Sequence, residues 1–159
     1  MPKDRRYWDS DTFLAWFNKE TGKYENCLGV MQSAENGDLE IVTSSFTLVE
    51  VLYIKGHPKI TKEKSNTICR FFERDFIVIV NLDRYIAEDA RQLVWDHNVR
   101  PQDAVHISTA MKGNINIFDT FDQELLNLNG RLGNPPLGII KPNIQLQGNL
   151  DEYKETRKD

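Results

Sequence analysis

Short apolar runs alternate with longer segments of helical periodicity along this chain. The clearest strand, residues 76–80, reads Phe-Ile-Val-Ile-Val, a continuous apolar run typical of a strand buried on both faces. Between residues 24 and 36, apolar side chains instead recur every three or four positions, which indicates a helix with one buried face. Strands alternating with helices predict an α/β fold with a largely parallel sheet covered on both faces.

The predicted elements follow one another in this alternating order. We predict strands over residues 5–8, 39–43, 76–80, 115–118 and 137–141. We predict helices over residues 11–18, 24–36, 61–74, 83–98 and 101–112, a helix through Tyr53 that Ser44 or Ser45 caps, and a short helix from Gln123. Residues 1–142 are expected to form one domain, and residues 143–159 a polar, flexible tail.

Composition narrows the class of protein. With 159 residues, of which 40% are hydrophobic and 28% charged, the chain has the size and composition of one globular domain. The N-terminal region has neither a membrane-length apolar run nor the apolar core of a signal peptide, so we expect a cytoplasmic protein. Cys27 and Cys69 are expected to be reduced core residues. The net charge of -4 requires metal ions to supply positive charge if nucleic acid is bound.

Four acidic residues lie where a predicted element meets a loop: Asp9, Glu50, Asp103 and Asp122. Asp9 ends the first strand and Asp122 follows the fourth, so both are expected at the carboxyl edge of the sheet, where α/β folds place ligands. Capping or turn formation explains each aspartate separately. Glu50, however, lies in an apolar helical stretch, where an unpaired carboxylate is costly. Converging carboxylates predict a divalent metal site.

Four short motifs in this order resemble those of PIN-domain proteins, most of all the VapC-type toxin ribonucleases of bacterial and archaeal toxin–antitoxin pairs. They are Tyr7-Trp-Asp-Ser-Asp-Thr12, Thr47-Leu-Val-Glu-Val51, Asp103-Ala-Val-His-Ile-Ser-Thr-Ala110 and Thr120-Phe-Asp122. The resemblance extends over about residues 5–142. It implies a three-layer α/β/α fold, with a parallel sheet of about five strands between helices. It also implies a metal-dependent endoribonuclease that hydrolyses RNA phosphodiester bonds, as the toxin of such a pair.

The resemblance assigns a role to each acid. Asp9 and Asp103 are expected to bind Mg²⁺ or Mn²⁺, which prefer oxygen ligands, and Asp122 to bind the metal directly or through water. Glu50 is expected to bind metal or position the attacking water. Asp119 competes with Asp122 for the fourth position. Because clustered carboxylates repel without metal, at least one should have a raised pKa.

Further residues are candidates for substrate contacts. Ser10 and Thr120 match hydroxyl residues that line the site in the family. His106 is expected either to contact substrate or donate a proton, or to be a structural histidine. The lysines that follow the Glu50 segment either track the RNA backbone or form a solvated surface: Lys55, Lys59 and Lys62. The resemblance also implies a homodimer and a cognate antitoxin that covers the site.

Three other functions stay open at this stage. The chain can be a stand-alone PIN nuclease in RNA processing, or a catalytically inactive PIN-like module that binds RNA or protein. The segment Asp9-Ser-Asp-Thr-Phe13 also resembles the DxDx[TV] opening of haloacid-dehalogenase-like phosphatases, in which the first aspartate is a nucleophile. Phe13 stands where that motif has Thr or Val, which argues against the phosphatase.

Overall fold

The predicted parallel sheet is confirmed in a computed structural model that describes residues 2–52 and 58–145. Its strands in these residues are β1 (Asp4–Trp8), β2 (Leu39–Ser44), β3 (Ile77–Val80), β4 (Ile117–Asp119) and β5 (Gly138–Ile140). They are ordered β3-β2-β1-β4-β5, and every neighbouring pair is parallel. The central strand β1 therefore ends beside β2 and β4, which brings Asp9 next to the loops that follow both.

Helices cover both faces of the sheet. In the described residues they are α1 (Ser10–Phe17), α2 (Tyr24–Glu35), α3 (Thr47–Glu50), α4 (Lys62–Phe71), α5 (Arg84–His97), α6 (Pro101–Lys112) and α7 (Gln123–Leu126). One core contains Trp8 and side chains from α1, α2 and α4. The other contains Tyr7 and side chains from α5, α6 and α7. Because successive strand side chains point to opposite faces, neighbouring residues of β1 enter different cores.

Local sequence explains where most helices begin. Asp9, Thr61, Asp83 and Asp122 are N-caps whose side chains accept hydrogen bonds from backbone N–H groups of the first turn. Pro101 opens α6, where its missing N–H costs nothing. Two of the four predicted catalytic acids, Asp9 and Asp122, are thus also helix caps. Each of these two residues therefore caps a helix and also lies at the carboxyl edge of the sheet.

The helix predicted after β2 is much shorter than its apolar pattern indicated. Helix α3 has four residues and its N-cap is Phe46, not a serine. The Ser44 hydroxyl instead accepts a hydrogen bond from the Phe46 N–H within the turn. Leu48 and Val49 are exposed, so no packed face extends the helix. Glu50 therefore does not lie in apolar surroundings. The helix ends at Glu50, Val51 and Leu52 form a turn, and Tyr53 falls outside the described residues.

Two further expectations about burial differ from the structure. Strand β3 lies at one edge of the sheet, and only Ile77 of its four residues is fully buried. Cys27 is a free, buried core residue, but Cys69 is free and exposed. Helix α4 buries Ile68 and Phe71, and these two neighbours of Cys69 take the inward positions of its turn. A short apolar run in the sequence does not show which of its residues are buried and which are exposed.

The chain stays packed just beyond Pro142, the predicted end of the domain. Ile144 packs against the core that contains Trp8. A Cβ atom built on Gly29 of α2 would lie 1.6 Å from the Ile144 carbonyl oxygen, so only glycine allows the two backbones to approach this closely. Residues 146–159 of the predicted tail fall outside the described residues. No helix in the described part of the chain is long and apolar enough to span a membrane.

Candidate active site

Thr120 connects the first predicted acid to the fourth. Asp9 directly follows β1 and is 3% exposed. Its Oδ1 accepts hydrogen bonds from the Thr12 N–H at 3.0 Å and the Thr12 hydroxyl at 2.7 Å. Its Oδ2 accepts from the Thr120 hydroxyl at 2.7 Å, and the Thr120 oxygen accepts from the Asp122 N–H at 3.2 Å. The loops after β1 and β4 therefore meet at one hydroxyl group.

Arg100 joins the third and fourth acids. Its Nε donates to Asp103 Oδ2 at 3.0 Å, and one terminal nitrogen donates to Asp122 Oδ2 at 2.5 Å. Asp122 Oδ1 faces the other way and accepts from the Glu124 N–H at 2.9 Å as the cap of α7. One positive charge thus bridges two carboxylates that α6 and the loop after β4 supply.

Glu50 is linked to the same region through α1 and α6. Its Oε1 accepts from the Ser10 hydroxyl at 2.5 Å and faces His106 Nε2 at 2.6 Å. Ser10 is next to Asp9 in the chain, and His106 lies one turn beyond Asp103 in α6. The four predicted acids therefore lie in two adjacent hydrogen-bond networks at the carboxyl edge of β1, β2 and β4, one with the three aspartates and one with Glu50.

A buried tyrosine faces the ring nitrogen of His106 that does not contact Glu50. The Tyr7 hydroxyl accepts from the Ser44 N–H at 3.1 Å and faces His106 Nδ1 at 2.6 Å. Burial raises the pKa of Tyr7 well above its ordinary value, so the hydroxyl keeps its proton and can donate. The carboxylate of Glu50 only accepts, so in a neutral imidazole His106 Nε2 carries the hydrogen and Nδ1 accepts from Tyr7. His106 is buried, and both of its ring nitrogens face protein groups.

The pKa values of three acids in this region are raised, and burial is the main cause in each. Burial raises the pKa of Asp9 from 3.8 to about 6, although the hydrogen bonds from Thr120 and Thr12 lower it in part. Burial also raises the pKa of Asp103, against the effect of Arg100. Asp11 has a raised pKa because of partial burial and the neighbouring charges of Asp122 and Glu50. Repulsion between the acids thus contributes to the raised pKa values, but less than burial does.

The raised pKa of Asp9 predicts a pH-dependent stability of the metal-free protein. Protonated Asp9 stabilises the fold, and this contribution, fully present below pH 3.8, is lost as the pH rises through about 6. Between about pH 5 and pH 8, we expect wild type to lose about 1 kcal/mol more unfolding free energy than Asp9→Asn. Urea unfolding with EDTA at both pH values measures the difference. Identical pH dependence of the two proteins would contradict it.

Asp119, the competitor for the fourth position, is fully buried on the face of the sheet that carries Trp8. It is 0% exposed and accepts two hydrogen bonds from Arg6, at 2.8 Å and 2.5 Å. The Trp8 indole donates a third at 3.0 Å. Burial raises the pKa of Asp119, and the Arg6 interactions lower it in part. The structure therefore places Asp119 in a buried ion pair, and Asp122 beside Asp103.

Several residues of these networks were not predicted from the sequence, among them Tyr7, Thr12, Arg100 and Arg6. The sequence did contain an indication for Arg6, because the alternation of side chains along a strand puts it on the same face of the sheet as Trp8, two residues later. Arg100 immediately precedes the helix that carries Asp103, but nothing in its sequence context indicates the contact with Asp122, 22 positions away. The two arginines of β1 are thus partners of acids, Arg5 of Glu40 and Arg6 of Asp119.

The predicted substrate-binding lysines are less closely tied to this region. Lys55 lies outside the described residues. Lys59 and Lys62 are exposed, and Lys62 is the first residue of α4. Across residues 2–52 and 58–145, no ion pair joins either lysine to the four predicted acids. Their role in contacting RNA stays a prediction.

The donor atoms of this site suit a hard divalent cation. Carboxylate and hydroxyl oxygens of Asp9, Asp103, Asp122 and Thr120 are the ligand types that Mg²⁺ and Mn²⁺ prefer. In the part of the chain that the structure describes, no three His, Cys, Asp or Glu side chains are close enough to share an ion as they stand. Arg100 supplies the positive charge between Asp103 and Asp122. The donor chemistry therefore fits a metal.

The fold and this acidic edge identify the class of protein. The family model of the PIN domain matches residues 7–130, which is most of the chain. The chain therefore belongs to the PIN-domain family. Among curated proteins, none matches the sequence.

Solved structures of toxins and toxin–antitoxin complexes share this fold. VapC20 of Mycobacterium tuberculosis, described as a toxin that cleaves the sarcin-ricin loop, is 14% identical over 74% of this chain and 90% of its own, with a TM-score of 0.58. A toxin–antitoxin complex from Klebsiella pneumoniae is 18% identical over 88% and 99%, with a TM-score of 0.59. VapBC2 of Rickettsia felis, bound to a promoter DNA fragment, is 17% identical over 86% and 97%, with a TM-score of 0.59.

Proposed function

We propose that the protein is a metal-dependent endoribonuclease. The observation that carries this proposal is the linkage of Asp9, Asp122 and Asp103 through Thr120 and Arg100 at the carboxyl edge of a PIN-domain sheet. Carboxylates gathered at one edge from distant parts of the chain are costly unless a cation compensates them. A phosphodiester, itself anionic, needs the same cation to approach them.

The acids have distinct roles in this proposal. Asp9 and Asp103 hold Mg²⁺ or Mn²⁺, and Asp122 holds it directly or through water. A bound divalent ion supplies Lewis acidity and positive charge for the phosphodiester. Thr120 fixes one oxygen of Asp9, and Ser10 one oxygen of Glu50, so both carboxylates keep a defined orientation. Preorganised charge of this kind is the main resource for stabilising a phosphoryl transition state.

Glu50 is the group that we propose to position the attacking water and accept its proton. Two donors, Ser10 and His106 Nε2, share its Oε1. Tyr7 keeps the His106 hydrogen on Nε2, so His106 orients Glu50 and does not itself contact substrate. We therefore assign the second oxygen of Glu50, Oε2, to the attacking water.

Cleavage of RNA by the purified full chain tests the proposal. We expect cleavage within single-stranded substrates in Mg²⁺ or Mn²⁺, no cleavage after exhaustive EDTA treatment, and no covalent phospho-enzyme. Asp103→Asn should lose at least about a hundredfold in rate, since even outer-shell partners of metal ligands are worth about 10–100-fold. Cleavage that survives chelation, or unchanged activity of Asp103→Asn, would overturn the mechanism. Metal-independent RNA binding without cleavage would favour the inactive module.

We further propose that the protein is the toxin of a toxin–antitoxin pair, acting on cytoplasmic RNA as a homodimer. The likeness of the fold to VapC20 and to two toxin–antitoxin complexes supports this proposal. Co-expression with the product of an adjacent small gene tests it. We expect that product to co-purify and to suppress RNA cleavage. The absence of such a gene, with cleavage intact, would indicate a stand-alone nuclease in RNA processing.

A further inference from the structure

Arg100 occupies an electrostatically unusual position. It is the N-cap residue of α6, and 59% of its side chain is exposed. The helix macrodipole disfavours a positive charge at a helix N-terminus, so stability of α6 does not explain an arginine there. Its guanidinium is nevertheless in contact with Asp103 and Asp122 at the same time.

We propose that Arg100 is an internal counter-cation that occupies the space between Asp103 and Asp122 until a divalent ion displaces it. This inference rests on the proposed function, because it assigns those two acids to the metal. In the metal-free state the guanidinium neutralises them. In the metal-bound state the arginine swings outward, so that the Asp103 and Asp122 carboxylates would be free to hold the ion.

The contacts of the two acids favour an exchange over a permanent ion pair. In each acid, Oδ2 is the oxygen that faces Arg100. Asp122 Oδ1 is fixed by N–H groups of α7, so its Oδ2 keeps its direction when the arginine leaves. The two side chains are only 19% and 16% exposed, whereas the arginine side chain is mostly in solvent. The mobile partner of the pair is therefore the arginine.

Competition between the guanidinium and the metal predicts that removal of Arg100 tightens metal binding. Exposed ion pairs contribute little individually, and we expect the two together to change the Kd by a factor of about three to ten. We expect Arg100→Gln to bind Mn²⁺ about three to ten times more tightly than wild type, as measured by electron paramagnetic resonance of free Mn²⁺. Thermal unfolding should also show a lower Tm without metal and a larger rise on adding Mn²⁺.

Arg84→Gln is the matched control. It removes the same charge and an exposed ion pair with Glu88 at 2.8 Å, but on α5. Its Mn²⁺ affinity should stay within about twofold of wild type, which excludes a general effect of net charge. If Arg100→Gln does not fold without metal, Arg100→Lys replaces it, because lysine lacks the fork that engages two carboxylates. A smaller tightening, of about twofold to threefold, is then expected.

The failure of this inference can be distinguished from failure of the proposed function. Equal or weaker Mn²⁺ binding by Arg100→Gln, with wild-type RNA cleavage intact, overturns the counter-cation role alone. Tighter binding by Arg100→Gln, without RNA cleavage by any variant, supports the exchange and overturns the nuclease proposal. No Mn²⁺ binding by either protein overturns both.

Discussion

Asp9→Asn is expected to abolish RNA cleavage while leaving the fold intact. The substitution removes the negative charge proposed to hold the metal, and we expect the cleavage rate to fall by at least about a hundredfold. Asparagine is as good an N-cap as aspartate, so the hydrogen bond from the Thr12 N–H and the start of α1 should be retained. Initial rates in Mn²⁺ and thermal unfolding measure the two effects on one preparation.

Asp83→Asn provides the matched control for this substitution. Asp83 is the N-cap of α5 and accepts from the Ile86 N–H at 2.9 Å, as Asp9 does from Thr12. The same chemical change at an equivalent cap outside the hydrogen-bond networks of the four acids should leave cleavage within about twofold of wild type. Comparable losses in both variants would show that capping, not the charge at position 9, matters. Full activity of Asp9→Asn would remove the main metal ligand from the mechanism.

Asp119→Ala is expected to give the largest loss of stability. It leaves Arg6, whose side chain is only 11% exposed, without its partner and frees the Trp8 indole N–H. Breaking a buried ion pair from one side costs about 3–5 kcal/mol, because the remaining charge stays desolvated. Urea unfolding at neutral pH measures the difference in unfolding free energy.

Two further variants test the cause of that loss. Asp89→Ala removes an exposed partner of Lys112, with both side chains about half in solvent, and should cost less than about 1 kcal/mol. Replacing both members of the buried pair, by Arg6→Met with Asp119→Leu, should recover more than half of the loss, since no charge is then left unpaired. A small effect of Asp119→Ala alone would mean that water reaches Arg6.

The order of strands and helices could be predicted from the sequence because each depends on local periodicity. Residues 24–36 and 101–112 were predicted within one residue of the observed α2 and α6, since apolar spacing, caps and Pro101 agree. The prediction for the segment after β2 was wrong because it also depended on local periodicity. Leu48, Val49 and Leu52 make a helical pattern, but the sheet offers no surface to bury Leu48 and Val49. Periodicity identifies a potential apolar face and does not show what covers it.

The acids themselves were also detectable in sequence, because a carboxylate beside an apolar element is locally improbable. The sequence by itself determined the family, the parallel sheet and the placement of Asp9, Glu50, Asp103 and Asp122 at element ends. Only the tertiary structure decided their partners: Arg100 between Asp103 and Asp122, His106 beside Glu50, and Arg6 with Asp119. Apart from the contact between Arg100 and Asp103, they join residues from 22 to 113 positions apart. Side-chain electrostatics acts through distance in space, and strand pairing and packing set that distance.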